Sequence, residues 1–180
     1  MPIPAHRLAP RVPVWLWRAF MGAIGPLERR RLALAPVRDV VSELDIPYTG
    51  DDAADRRLDV IRPASAHGPL PVYVYFHGGG WTSGSKRSVT GYCATQAEAG
   101  MVVVNVEYRK APRAGMADML EDANAALAWV RERIGGFGGD PDRLVLGGDS
   151  AGGQLASLVA QLAGRDELAG FWGVRPAAPS

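Results

Sequence analysis

The stretch Arg143-Leu-Val-Leu-Gly147-Gly148-Asp149-Ser150-Ala151-Gly152-Gly153 decides the fold. Its first five residues form a short apolar run, as expected of a strand buried inside a parallel sheet. Beyond the glycines, Leu155, Leu158, Val159 and Leu162 recur at helical spacing. Ser150 therefore sits on a strand-to-helix turn. Gly148-x-Ser150-x-Gly152 has the form of a nucleophile elbow, a turn so tight that the flanking positions must approach strand and helix without a side chain between them. The serine hydroxyl then projects from the end of the sheet, and the following helix directs its positive end toward it.

Working outward, Val72-Tyr-Val-Tyr-Phe76 and Met101-Val-Val-Val-Asn-Val106 are two further β-branched or aromatic runs. With Arg143 to Gly147 they predict the centre of the sheet. Between the last two, Met116, Leu120, Ala123, Leu127, Val130 and Ile134 alternate at steps of four and three until Gly135-Gly136 stop the helix. Strand, helix and strand in that order predict a right-handed crossover. Arg38 to Ile46 and Arg57 to Arg62 read as outer strands. Before Pro36, an apolar stretch from Val12 to Ile24 predicts an amphipathic helix whose Trp15, Trp17 and Phe20 cover an apolar part of the body. Arg18 interrupts that stretch, so it makes a poor export signal, and it is too short to span a bilayer.

A second motif, His77-Gly78-Gly79-Gly80-Trp81, follows the strand ending at Phe76. Glycines there let backbone N–H groups face a cavity, where they and the N–H of Ala151 can hold the oxyanion of a tetrahedral acyl-transfer intermediate. Neither glycine motif has the spacing of a phosphate-binding loop.

These residues together resemble the hormone-sensitive-lipase-like branch of the α/β-hydrolase superfamily, which includes many bacterial carboxylesterases. The likeness runs from about Leu58 to Leu162. It rests on His77 to Trp81, on Asn105-Val-Glu-Tyr108-Arg109 with Ala111-Pro112, on Leu120-Glu121-Asp122-Ala123, on Gly139-Asp140-Pro141-Asp142, and on Gly148 to Gly153. It implies an α/β-hydrolase fold, a mostly parallel sheet with flanking helices, cut off after the nucleophile helix. Residues 1–36 would be a helical lid segment, 37–174 a partial core and 175–180 a tail. The resemblance makes Ser150 the nucleophile and places Gly78, Gly79 and Ala151 around the oxyanion hole. His77, Gly80, Gly148, Asp149 and Gly152 support the two motifs, with His77 structural rather than basic. Lys110 and Arg113 depart from the pattern, standing where apolar and acidic residues are usual.

In this superfamily the acid and then the histidine follow the serine in the chain. No histidine follows Ser150 within the 180 residues, and Asp166 and Glu167 come so soon that they read as surface charges. The expectation is an N-terminal portion of a longer hydrolase, nearly inactive alone, with Arg143 to Gly147 left as an apolar edge open to self-association. His67 is expected at the far end of the sheet, and His6 is unconstrained. Amidase or arylformamidase chemistry on the same fold, and an inactive remnant or binding module, are the alternatives.

Composition narrows the partners. Twenty basic residues against nineteen acidic ones leave a net charge of +1, which favours a small uncharged ester and no nucleic acid. One cysteine, Cys93, and three histidines point away from disulfides and structural zinc, and no cofactor is implied. The Arg29-Arg30-Arg31 run reads as a solvated face, stable membrane insertion is not expected, and the weak export signal favours the cytoplasm.

Overall fold

The computed structural model describes residues 37, 39–51 and 53–162, together with residues 15, 16, 19, 20, 22, 23, 165 and 170. Five strands form one sheet: β1 (Val40–Pro47), β2 (Arg57–Pro63), β3 (Leu70–Phe76), β4 (Val102–Val106) and β5 (Gly139–Gly148). Three helices connect or follow them: α1 (Lys86–Glu98), α2 (Met116–Arg133) and α3 (Ala151–Leu162). The spatial order is β1-β2-β4-β3-β5. β3 pairs in parallel with both β4 and β5, whereas β2 runs antiparallel to β1 and β4. Four of the five strands therefore point the same way, and their carboxyl ends share one rim of the sheet.

Alternation along the central strands gives each face its own core. Val72, Val74 and Phe76 of β3 and Val102, Val104 and Val106 of β4 pack with Leu120, Leu127 and Val130 of α2 and Leu155 and Val159 of α3. The other face carries Ile61, Tyr75 and Val103 against Cys93, Ala94 and Ala97 of α1. Burial pushes the Cys93 thiol above its ordinary value, as suits a small core residue rather than a nucleophile.

β3 and β4 lie at the centre of the sheet, where their hydrophobic runs placed them, whereas β5 pairs with β3 alone and forms an edge of the described sheet, with Val145 exposed. β5 begins earlier than expected, at Gly139, so the Gly139 to Asp142 motif belongs to the strand. α2 stops at Arg133, and Ile134–Phe137 form a 3-10 turn that contains the Gly135-Gly136 pair. α1 had no counterpart in the pattern of apolar residues. At the amino end, residues 15, 16, 19, 20, 22 and 23 are helical, with Trp15 and Phe20 69% and 57% exposed. Trp17 and the expected 175–180 tail lie outside the described residues. Among the described residues, no helix is long and apolar enough to cross a membrane.

Candidate active site

Ser150 lies between the last residue pair of β5 and the first turn of α3, with φ at 49°. A positive φ on a non-glycine residue is strained and persists only where its surroundings fix it. Here the fixing is steric. A methyl group on Gly152 would lie 2.6 Å from the carbonyl carbon of Phe76 and 2.7 Å from the His77 oxygen. One on Gly148 would lie 2.8 Å from the Gly152 oxygen. The two glycines flanking the serine thus let the first turn of α3 sit directly on the end of β3. Gly152 and Gly153 donate their N–H groups to the Asp149 carbonyl at 2.8 and 3.4 Å, closing the turn.

The His77–Trp81 loop leaves the carboxyl end of β3, one strand over from Ser150. His77 is fully buried and stacks on Tyr108, with ring centroids 4.5 Å apart. Its Nε2 lies 3.2 Å from Glu107 Oε1 and its Nδ1 lies 2.8 Å from the Gly78 oxygen. Both ring nitrogens face acceptor oxygens, so the ring turns no basic nitrogen toward the serine. The Tyr108 hydroxyl donates to the His77 carbonyl at 2.6 Å.

Gly78 departs from expectation. Its N–H donates to Asp149 Oδ1 at 2.7 Å instead of facing a cavity. Gly79 and Gly80 carry φ of 127° and 59°, and Trp81 follows at 60°. The Gly79 carbonyl accepts from the Ser83 amide at 3.0 Å and from the Ser83 hydroxyl at 2.7 Å, and the Trp81 carbonyl accepts from the Ala111 amide at 2.9 Å. Ala151 is buried at the start of α3.

Glu107, just past β4, joins three parts of this rim. Oε1 meets His77 and the Lys110 ammonium, and Oε2 accepts the Lys86 amide at 2.9 Å. Burial pushes the carboxyl up, but the hydrogen bond and charge of His77 and the Lys110 ammonium outweigh it and hold the group at about 2. Lys110, out of pattern in sequence, is thus the counter-charge of Glu107. The Lys86 side chain, 6% exposed, pairs with Asp59 and with Asp45. Arg109 binds Asp122 through its amide and guanidinium, each at 2.9 Å, which joins the Tyr108-Arg109 and Glu121-Asp122 segments.

A cleft of about 570 Å³ opens on the same rim, at the β4 exit rather than over Ser150. Asp55, Lys86, Arg87, Glu107 and Arg113 are among its lining residues, so the second out-of-pattern residue faces solvent space. His67 lies in the exposed connection between β2 and β3. The length of β3, roughly 20 Å, separates it from the serine end, far beyond hydrogen-bond reach. His6 lies outside the described residues. Sequence patterns gave no role to Tyr75, Glu107 or Lys86, although Glu107 stood inside a quoted motif.

The profile of a family described as alpha/beta hydrolase fold matches residues 73–178. The carboxylesterase NlhH of Mycobacterium tuberculosis is 40% identical over 126 residues, which cover 68% of this chain and 38% of that protein. The carboxylic ester hydrolase LipN of the same species is 39% identical over 125 residues, covering 68% of this chain and 32% of its own. Among solved structures, esterase B from Lactobacillus rhamnosis superposes with a TM-score of 0.84 at 30% identity, over 91% of this chain and 53% of that one. The chain thus spans between about a third and a half of the length of these proteins. A strained serine between two crowded glycines, the adjoining glycine loop and these matches agree: the chain belongs to the α/β-hydrolase family, among relatives that are carboxylesterases of the hormone-sensitive-lipase-like branch.

Proposed function

We propose that the protein belongs to a serine carboxylesterase acting on short or medium acyl esters. The observation that carries this is Ser150, exposed and held at φ 49° beside the glycine loop. In the proposed reaction the Ser150 oxygen attacks the ester carbonyl and its proton passes to a general base. The amides of Gly79 and Ala151, with that of Gly80, receive the oxyanion. Collapse expels the alcohol and leaves an acyl-serine, which water then cleaves. Gly78 is left out of this set because Asp149 holds its N–H. The substrate is small and uncharged, in line with the near-zero net charge.

No described histidine is placed to take the proton, since His77 is buried and His67 lies at the opposite rim. A small external base tests the reading directly. Hydrolysis of p-nitrophenyl butyrate is followed with and without added imidazole, for the 180-residue chain and for Ser150→Ala. The expected result is release stimulated by imidazole in the parent chain and only the solution background in the variant. Equal rates for folded parent and variant at every imidazole concentration would refute the nucleophile assignment and favour a binding module.

A further inference from the structure

We propose that Asp149 is a positioning residue whose carboxylate locks the His77–Gly80 loop to the serine turn. The proposal rests on the reading of Ser150 as nucleophile and adds what sets its distance from the loop amides. Asp149 Oδ1 accepts the Gly78 N–H at 2.7 Å and the Tyr75 hydroxyl at 3.1 Å. Its own carbonyl meanwhile accepts the Gly152 and Gly153 amides at the start of α3. One residue is thereby fixed to the nucleophile helix through its backbone and to the neighbouring loop through its side chain.

The approach is as close as the chain permits. A methyl group on Gly78 would lie 2.8 Å from the Asp149 carbonyl oxygen and 2.9 Å from its carboxyl carbon. Glycine at position 78 therefore serves to bring the loop against Asp149 rather than to bare an amide. Asp149 thus makes a side-chain hydrogen bond that joins this loop to the 148–153 turn. The loop's other side is held at His77 by Glu107 and Tyr108. Removing Asp149 would leave the loop anchored to β4 but free to drift from Ser150. An ionised acceptor suits the task because its hydrogen bonds are shorter and stronger than neutral ones. Tyr75 supports it from below, on the α1 face, and the nearby carboxylate adds to burial in raising the Tyr75 phenol.

The test compares hydrogen exchange of the 78–80 and 151 amides in the parent chain, Asp149→Ala, Asp149→Asn and Tyr75→Phe. The Val103 and Val104 amides report global stability alongside. Asp149→Ala is expected to speed exchange at Gly78 and Gly79 about tenfold or more with the core amides unchanged, and Asp149→Asn, which keeps an acceptor oxygen, to recover to within about threefold. Tyr75→Phe, which leaves the Gly78 bond in place, is expected to change loop exchange by at most about threefold. Unchanged loop exchange in Asp149→Ala overturns the proposal. So does a loss shared equally by the core amides and not rescued by asparagine. Labelling of Ser150 by an alkyl fluorophosphonate, read by intact mass in the presence of imidazole, separates the two readings. Labelled parent with an unchanged loop in Asp149→Ala defeats only the positioning role, and a loosened, asparagine-rescued loop with unlabelled parent defeats only the nucleophile.

Discussion

Gly152→Ala concentrates the packing of the site into one methyl group. The added carbon would stand 2.6 Å from the Phe76 carbonyl carbon and 2.7 Å from the His77 oxygen, where ordinary contact begins at 3.4 Å. The Phe76 carbonyl oxygen stands nearer still, so the first turn of α3 and the end of β3 would have to part by more than the roughly 0.8 Å that the carbonyl-carbon approach alone demands. Both obstacles are backbone, and β3 is held on both sides by β4 and β5, so no side chain can rotate away. Overpacking a well-filled core costs about 1–3 kcal/mol, and a clash confined to backbone belongs at the upper end, about 3 kcal/mol. With a urea dependence of about 2 kcal/mol per molar, the unfolding midpoint should fall by about 1.5 M. Circular dichroism during urea unfolding reads this directly. Gly136→Ala is the matched control, since a methyl group there meets nothing within 4 Å, and its effect should stay within about 0.5 kcal/mol. A Gly152→Ala midpoint indistinguishable from that control would refute the steric account of the motif.

Stability should also depend on acid through Glu107, whose folded carboxyl is held at about 2 against an ordinary 4.5. A depressed carboxylate contributes above the unfolded value and loses its contribution as pH falls from 4.5 toward 2, here about 3 kcal/mol in all. Urea midpoints of the parent should fall across that window, whereas Glu107→Gln should start lower and show a flatter slope; parallel slopes would contradict the assignment. Lys86→Met should destabilise by about 3–5 kcal/mol by leaving the buried Asp59 unpaired, and adding Asp59→Asn should recover much of the loss in the same assay. Along β5, an edge strand with Val145 48% exposed, Val145→Lys should lower any self-association seen by sedimentation velocity, and an unchanged distribution of species would place the contact elsewhere.

Hydrophobic patterning located β3, β4, α2 and α3 because each buries a run or stripe that only one period explains. α1 escaped because the face it presents to the sheet is made of small residues, Cys93, Ala94 and Ala97, and because its first buried residue is Lys86. A buried lysine carries no apolar signal, and the carboxylates that make it tolerable, Asp45 and Asp59, come from two other strands. At the site, Ser150, Gly148 and Gly152 could be read from local sterics alone. Gly78 could not: glycine fits an open amide and a close approach equally well, and the deciding partner lies 71 residues away in Asp149. Glu107 was hidden for the same reason, since its partners His77, Lys86 and Lys110 meet only when β3, α1 and β4 are assembled.

These two carboxylates divide one task between them. Glu107 ties the glycine loop to β4 and to the start of α1, and Asp149 ties the same loop to β5 and α3. The loop is therefore fixed from both flanks by acceptors rooted in the sheet, with the Tyr108 hydroxyl holding the His77 carbonyl between them. Oxyanion donors are effective to the extent that they are already aimed before charge develops, so that little reorganisation accompanies the reaction. Here the aim depends on β3, β4, β5 and the helix starts, all within the described residues. In the proposed reaction the serine and its glycine loop form a half-site whose geometry does not depend on where the general base comes from. Base and oxyanion donors can then be tested apart, the first by adding imidazole and the second by altering Asp149.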